Sequence, residues 1–144
     1  MIEEHNLPYA RDLKADAEEA GRQRVPLLIL YSLPACPYCN EVRRSHLGPM
    51  LADPTQSKRA IIRQVDVNST QPARGFDGKS STHGRIAGEA KVTFAPVVAF
   101  FGPGGRNLGE PLKGMLLRDF YAAYLEDALA KATSGSSRFL PERM

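Results

Sequence analysis

Both cysteines of this chain, Cys36 and Cys39, lie in the stretch YSLPACPYCNEVRR at residues 31–44, with a proline and a tyrosine between them. Two thiols three positions apart suit thiol–disulfide exchange. The attacking species is a thiolate, so something must stabilise negative sulfur. A helix beginning at Cys36 supplies unpaired backbone N–H groups and the positive end of the helix dipole, worth roughly 0.3–1 kcal/mol at an exposed site. Pro37 fits the first helical position, where its missing N–H costs nothing and its φ is already helical. Cys39 then lies one turn on, on the same side and nearer the interior, placed to attack a mixed disulfide formed at Cys36. Cys36 is therefore read as the nucleophile and Cys39 as the resolving thiol. Arg43 and Arg44 lie further into the same helix, where screening is expected to make them minor contributors.

Other uses of the pair fit less well. A bridge closing so short a loop stabilises the chain by only about 2 kcal/mol in the chain-entropy formula. Structural zinc needs four ligands, and His5, His46 and His83 follow no ligand spacing around the one CxxC, so no metal is expected. A cysteine hydrolase needs a base that sequence cannot place beside the thiol.

The 144 residues, 42% of them apolar, suffice for one domain with its own core. The formal charge of +3 is mild, and basic pairs such as Lys58-Arg59 are scattered among acids without interleaved aromatics. That is not a nucleic-acid footprint. The longest apolar run, VPLLILYSLPA at 25–35, is well short of the roughly 20 residues that span a bilayer. The opening MIEEHNLPYA carries acids where a secretory signal has basic and then apolar residues, so a cytosolic chain or one with its signal removed is expected.

The elements that must position the cysteines follow from pattern. Ala10, Leu13, Ala17 and Ala20 form one stripe of a helix over 8–24, with Asn6 as cap and Gly21 at its end. LLILY at 27–31 reads as a central strand buried on both faces. Helical spacing resumes from Val42 to Leu51, so the cysteine motif joins a strand to a helix. A second strand covers 60–67, followed by a polar loop with an Asp77-Gly78 turn and a short helix to Ala90 capped by Ser81 or Thr82. VVAFF at 97–101 is a third strand, and GPGG turns it into a fourth near 107–109. The last helix runs over 117–132, with Phe120, Tyr121, Tyr124, Leu125, Ala128 and Leu129 as its core face. This order predicts an α/β fold, a central mixed sheet of about four strands with helices on both faces. The domain is placed at 1–133 and a flexible tail at 134–144.

Phe94-Ala95-Pro96 leads directly into VVAFF, and a proline there must open the strand because it has no N–H for the ladder. A CxxC after a buried strand, a proline opening the hairpin, and Gly114 before the last helix together resemble the thioredoxin superfamily. More narrowly, GFDGKSSTHGRIAGEAKVTFAPVVAFFGPGG followed by PLKGMLLRDFYAAYL is similar to bacterial periplasmic thioredoxin-like proteins linked to sulfur oxidation. The resemblance implies a thioredoxin fold, attack by Cys36, resolution by Cys39 and a cis bond before Pro96. It also implies that the Ala95 backbone pairs with an extended substrate strand, that Pro37 and Tyr38 adjoin that substrate, and that Pro96 keeps metal ions from the thiols. Three positions depart from it: Leu30 stands where thioredoxins have a buried acid, Ala35 where they have tryptophan, and the Pro-Tyr dipeptide is that of glutaredoxins.

The reading is a protein-disulfide oxidoreductase, a reductant rather than an oxidant, with no cofactor beyond its own disulfide. Its partners would be proteins with disulfides and an upstream thiol electron donor, with no nucleic acid or membrane span, and the chain would act as a monomer. Resemblance places it in a periplasm; the alternative is the cytoplasm. A glutathione-dependent glutaredoxin is the nearest rival. A thioredoxin-like module that binds extended clients through Leu33, Pro34, Ala35 and Tyr38 without redox turnover is another.

Overall fold

The computed structural model describes residues 6–115 and 118–138. In chain order its elements are α1 (Leu13–Gln23), β1 (Leu27–Ser32), α2 (Pro37–Val42), a π-helical turn (Arg43–Leu47), α3 (Gly48–Ala52), β2 (Ile61–Asp66), β3 (Pro72–Arg74), β4 (Ser80–Thr82), α4 (His83–Glu89), β5 (Val97–Phe101), β6 (Leu112–Lys113) and α5 (Tyr121–Arg138). All six residues of β1 are buried, as its unbroken apolar run requires of a central strand. It pairs in parallel with β2 and antiparallel with β5, and β6 closes the far edge to give the order β2-β1-β5-β6.

Period-2 alternation divides the core. Leu28 and Leu30 face a cluster with Val42, Leu47, Leu125 and Leu129, so α2, α3 and α5 cover that side. Leu27, Ile29 and Tyr31 face Leu13, Ala17, Ala20 and Ile86, so α1 and α4 cover the other. The fold is thioredoxin-like, with a mixed four-stranded sheet between helical layers.

Several elements differ from the sequence expectation. The first helix starts at Leu13 rather than residue 8, capped by Asp12, whose Oδ1 accepts from the Ala15 N–H at 3.0 Å. Asn6 is not the cap. Residues 8–10 run beside β2 instead: the Ala10 N–H donates to the Gln64 carbonyl at 2.9 Å, and the Gln64 N–H to the Pro8 carbonyl at 2.8 Å. Ala10 stands three residues before Leu13 and so fits the helical stripe although it is bonded along β2, so the stripe could not mark where the helix began. Gly21 is not the helix end but a buried residue inside it, and Arg24 caps with φ 63°.

The polar stretch after β2 is not loop throughout. β3 and β4 pair as a small antiparallel hairpin, and its Asp77-Gly78 turn is closed by a 3.0 Å bond from the Gly78 N–H to the Gly75 carbonyl. The fourth sheet strand lies at 112–113; near 107–109 only an isolated bridge, Phe101 to Asn107, is made. In α5 the core row is Tyr121, Leu125 and Leu129, spaced by four. Phe120 and Tyr124 are 59% and 47% exposed: the first precedes the helix in a 3₁₀ turn, and the second is rotated off the buried row. Residue 117 lies outside the described residues. The helix continues through 138, past the expected tail boundary, and Ser136 Oγ donates to the Val25 carbonyl at 3.3 Å. Residues 139–144 of the expected tail lie outside the described residues.

Candidate functional site

The chain leaves the end of β1 at Ser32 and reaches Cys36, the N-cap of α2, with Pro37 in the first turn. Ala35, just before, sits at φ 55°, in the left-handed region. This turn aims Cys36 Sγ back over the helix end, where it accepts from the Cys39 N–H at 3.1 Å. The Cys36 and Cys39 Cα atoms are 5.2 Å apart and the two sulfurs are joined as a disulfide. Cys36 is partly exposed, whereas Cys39 is fully buried. The asymmetry lets one sulfur meet a partner while the other is reached only from within. Pro37 is exposed and Tyr38 is 50% exposed, so both border the accessible sulfur from the helix side.

The Ala95–Pro96 peptide is cis. Tyr31 pairs with Val97 in the β1–β5 ladder, so Pro96 lies at the same end of the sheet as Ser32 and the turn into Cys36. The Pro96 carbonyl accepts from the Gly114 N–H at 2.8 Å, which anchors the loop to the end of β6. Ala95 is half-buried and Pro96 buried. Register thus brings the cysteine pair and Ala95-Pro96 to one sheet end from positions far apart in sequence.

Arg43 lies at the end of α2, further into the helix as expected. Its guanidinium turns inward: Nη1 donates to Ser32 Oγ at 2.9 Å and to Gln64 Oε1 at 3.2 Å, and Nη2 donates to Asn40 Oδ1. The side chain shares the Cys39 face of the helix, and the buried polar groups of Ser32 and Gln64 need a donor. Arg44 is exposed, as expected. A cavity of about 540 Å³ borders this network, lined among others by Ser32, Pro34, Arg43, Gln64 and Asp66. Leu30 is buried, with Gln64 as its strand partner.

The described histidines are structural in their surroundings. His83 is fully buried; its Nδ1 accepts from the Asp66 N–H at 3.0 Å, and its Nε2 lies 2.9 Å from the Ala10 carbonyl. Sequence offered no signal for this staple beyond a histidine next to a capping threonine. His46 packs on Tyr121 at 4.9 Å between ring centroids, and burial pushes its pKa down against the opposing pull of Glu41. Among the described residues no group of three or more metal-ligating side chains gathers, and no helix is long and apolar enough to cross a membrane.

A family model described as a thioredoxin-like domain matches residues 13–129. No curated protein matches the chain. Among solved structures, the oxidised mitochondrial thioredoxin 3 of Saccharomyces cerevisiae is similar at 18% identity, over 86% of this chain and 93% of that one, with a TM-score of 0.56. A thioredoxin of Malassezia sympodialis is similar at 15% identity, over 91% and 99%, with a TM-score of 0.52. The periplasmic thioredoxin SoxS of Paracoccus pantotrophus, in reduced form, aligns at 16% identity over 74% and 98% with a TM-score of 0.49. At such identities the first two likenesses show the fold alone.

Proposed function

We propose, from the premise that this chain belongs to the thioredoxin-like family whose model spans residues 13–129, that it is a thiol–disulfide oxidoreductase acting on protein disulfides. The observation that carries this reading is the bonded pair itself: a partly exposed Cys36 capping a helix, joined to a buried Cys39 one turn on.

In the reduced protein the Cys36 thiolate attacks one sulfur of a client disulfide. A Cys36–client S–S bond forms, the client S–S bond breaks, and the first client thiolate leaves. Cys39 then gives up its proton and attacks Cys36 Sγ; the internal disulfide forms and the second client thiolate departs. Two electrons pass from the pair to the client. No cofactor enters. An upstream thiol donor returns the pair to its reduced form, and the chain works as a monomeric reductant. The client segment lies extended against the Ala95 backbone beside Pro96, with Pro37 and Tyr38 flanking it. A periplasmic setting is proposed on the sequence resemblance of 75–105 and is tested by fractionation.

The test is capture. Cys39→Ser should retain a client as a mixed disulfide through Cys36, Cys36→Ser should retain none, and only the unaltered pair should turn over a model protein disulfide with dithiothreitol. Undiminished client handling by the double Cys36→Ser, Cys39→Ser variant would overturn the reading in favour of a binding module. Turnover supported by glutathione alone would replace it with a glutaredoxin.

A further inference from the structure

We infer that Arg43 is the positioning residue of the resolving step, its inward-turned, partly buried cation stabilising the Cys39 thiolate that must form before the mixed disulfide can be resolved. The inference rests on the disulfide-exchange reading above and goes beyond it by naming what makes the second thiol reactive.

The difficulty it addresses is visible in the site. Cys39 is fully buried, and burial disfavours the charged form of a thiol. Resolution nonetheless requires that sulfur as a nucleophile. Arg43 is four residues on, and its N–H is bonded to the Cys39 carbonyl, so the two side chains leave the same helix face with Cβ atoms about 5–6 Å apart. An arginine there could extend into water. It instead points toward the sheet, held by Ser32 Oγ and Gln64 Oε1, whose residues are 1% and 6% exposed.

All three acceptors of the guanidinium, on Ser32, Gln64 and Asn40, are neutral. Its charge is therefore located by hydrogen bonds, and among the described residues no carboxylate pairs with it. The other charged groups around the site stand further off or are spent elsewhere. Asp66 on β2 reaches Arg43 only through Gln64, whose Nε2 donates to Asp66 Oδ1 at 2.8 Å. Glu41 on α2 pairs with Arg118 at 2.9 Å. Arg11 lines the same cavity and adds charge of the same sign as Arg43. From β1 and β5 this face receives only Leu28, Leu30, Ser32, Val98 and Phe100, none of which titrates at ordinary pH.

Among the described residues no side chain is hydrogen-bonded to Cys39 Sγ to take its proton, and the site lowers the cost of the thiolate instead. The Cys39 proton passes to the client thiolate released in the first step, Cys39 Sγ bonds to Cys36 Sγ, and the Cys36–client bond breaks. At a pH where Cys39 is ionised, the same cation also favours the reduced pair over the disulfide, so the midpoint is read above the Cys39 pKa as well as at pH 7.

The experiment compares Arg43→Gln, Arg43→Lys and Gln64→Glu with the unaltered protein. Two quantities are read: the rate at which a preformed Cys36–client mixed disulfide resolves as a function of pH, and the midpoint of the pair in dithiothreitol buffers. R43Q should slow resolution about tenfold at pH 7 and move its pH dependence upward. A matching tenfold change in the redox equilibrium would be about 30 mV toward more reducing midpoints. R43K keeps the charge but loses the fork that reaches three acceptors, so it should recover part of the rate that R43Q loses, by at least about threefold. Q64E keeps an acceptor for the arginine and offsets its charge, while giving up the Gln64 donor to Asp66, and should slow resolution as R43Q does, even if R43Q fails to fold. Resolution in Q64E with unaltered rate and pH dependence, or R43K as slow as R43Q, would overturn the assignment. Capture by Cys39→Ser separates this from the underlying reading: no mixed disulfide sinks the function, whereas capture with unaltered resolution sinks only the role of Arg43.

Discussion

The Cys39 backbone N–H points at the Cys36 sulfur from 3.1 Å. It belongs to the first turn of α2, whose N–H groups have no helical acceptor, so when the disulfide is reduced it is ready to hold a negative sulfur at Cys36. Cys39 receives no such bond and is buried. In the reduced protein, iodoacetamide should therefore label Cys36 first and leave Cys39 unlabelled until the chain is unfolded. Mass spectrometry of the digested protein reads this directly, and equal labelling of both cysteines in the folded state would contradict it.

His83 joins three segments that sequence separates. Its ring links the Ala10 carbonyl to the Asp66 N–H from the first turn of α4. His83→Ala would remove both bonds, strand two backbone groups and open a cavity, at a combined cost of roughly 2–4 kcal/mol. Urea unfolding should show a lower midpoint at unchanged slope. A loss under about 0.5 kcal/mol, the range of an ordinary surface change, would show that the staple is dispensable.

Gly21 lies inside α1, and a Cβ there would stand 2.7 Å from Pro103 Cγ. Helix propensity alone favours Gly21→Ala by about 1 kcal/mol. Overpacking against a proline ring costs about 1–3 kcal/mol, so the substitution should lower stability on balance. Adding Pro103→Ala should recover the loss. Stabilisation by G21A alone would show that the contact yields.

His46 gives a pH dependence with a definite sign. Burial beside Tyr121 lowers its folded pKa below the ordinary 6.5, so the unfolded chain binds the proton more readily. Its contribution to stability is complete above pH 6.5 and is lost as pH falls through that value toward the folded pKa. Melting temperatures at pH 7.5 and 5 should fall further for the unaltered protein than for His46→Gln. An equal fall in both would remove His46 as a cause.

Legibility in the sequence tracked how many constraints acted on each residue. LLILY and VVAFF were readable because burial on both faces leaves one composition, and CPYC because proline at a helix start and paired thiols agree. Ala10 was ambiguous because its partner is the Gln64 carbonyl, a contact made across the chain. Tyr121 was rightly a core residue, but Phe120 and Tyr124 were not, since aromatic character does not state which side of a helix turns inward. The inward turn of Arg43 gave no sign in the sequence for the same reason. Its distance along the helix was right, but its direction depends on Ser32 and Gln64, two polar residues from different strands.

The most direct test of the central claim is an equilibrium redox titration of Cys36 and Cys39 in dithiothreitol and glutathione buffers, quenched and read by thiol alkylation. The account predicts a single reversible two-electron couple that disappears in Cys36→Ser, with a midpoint toward the thioredoxin value of about −270 mV. A midpoint near about −120 mV would reverse the proposed direction of transfer. The absence of any reversible couple would contradict disulfide exchange as the function of this protein.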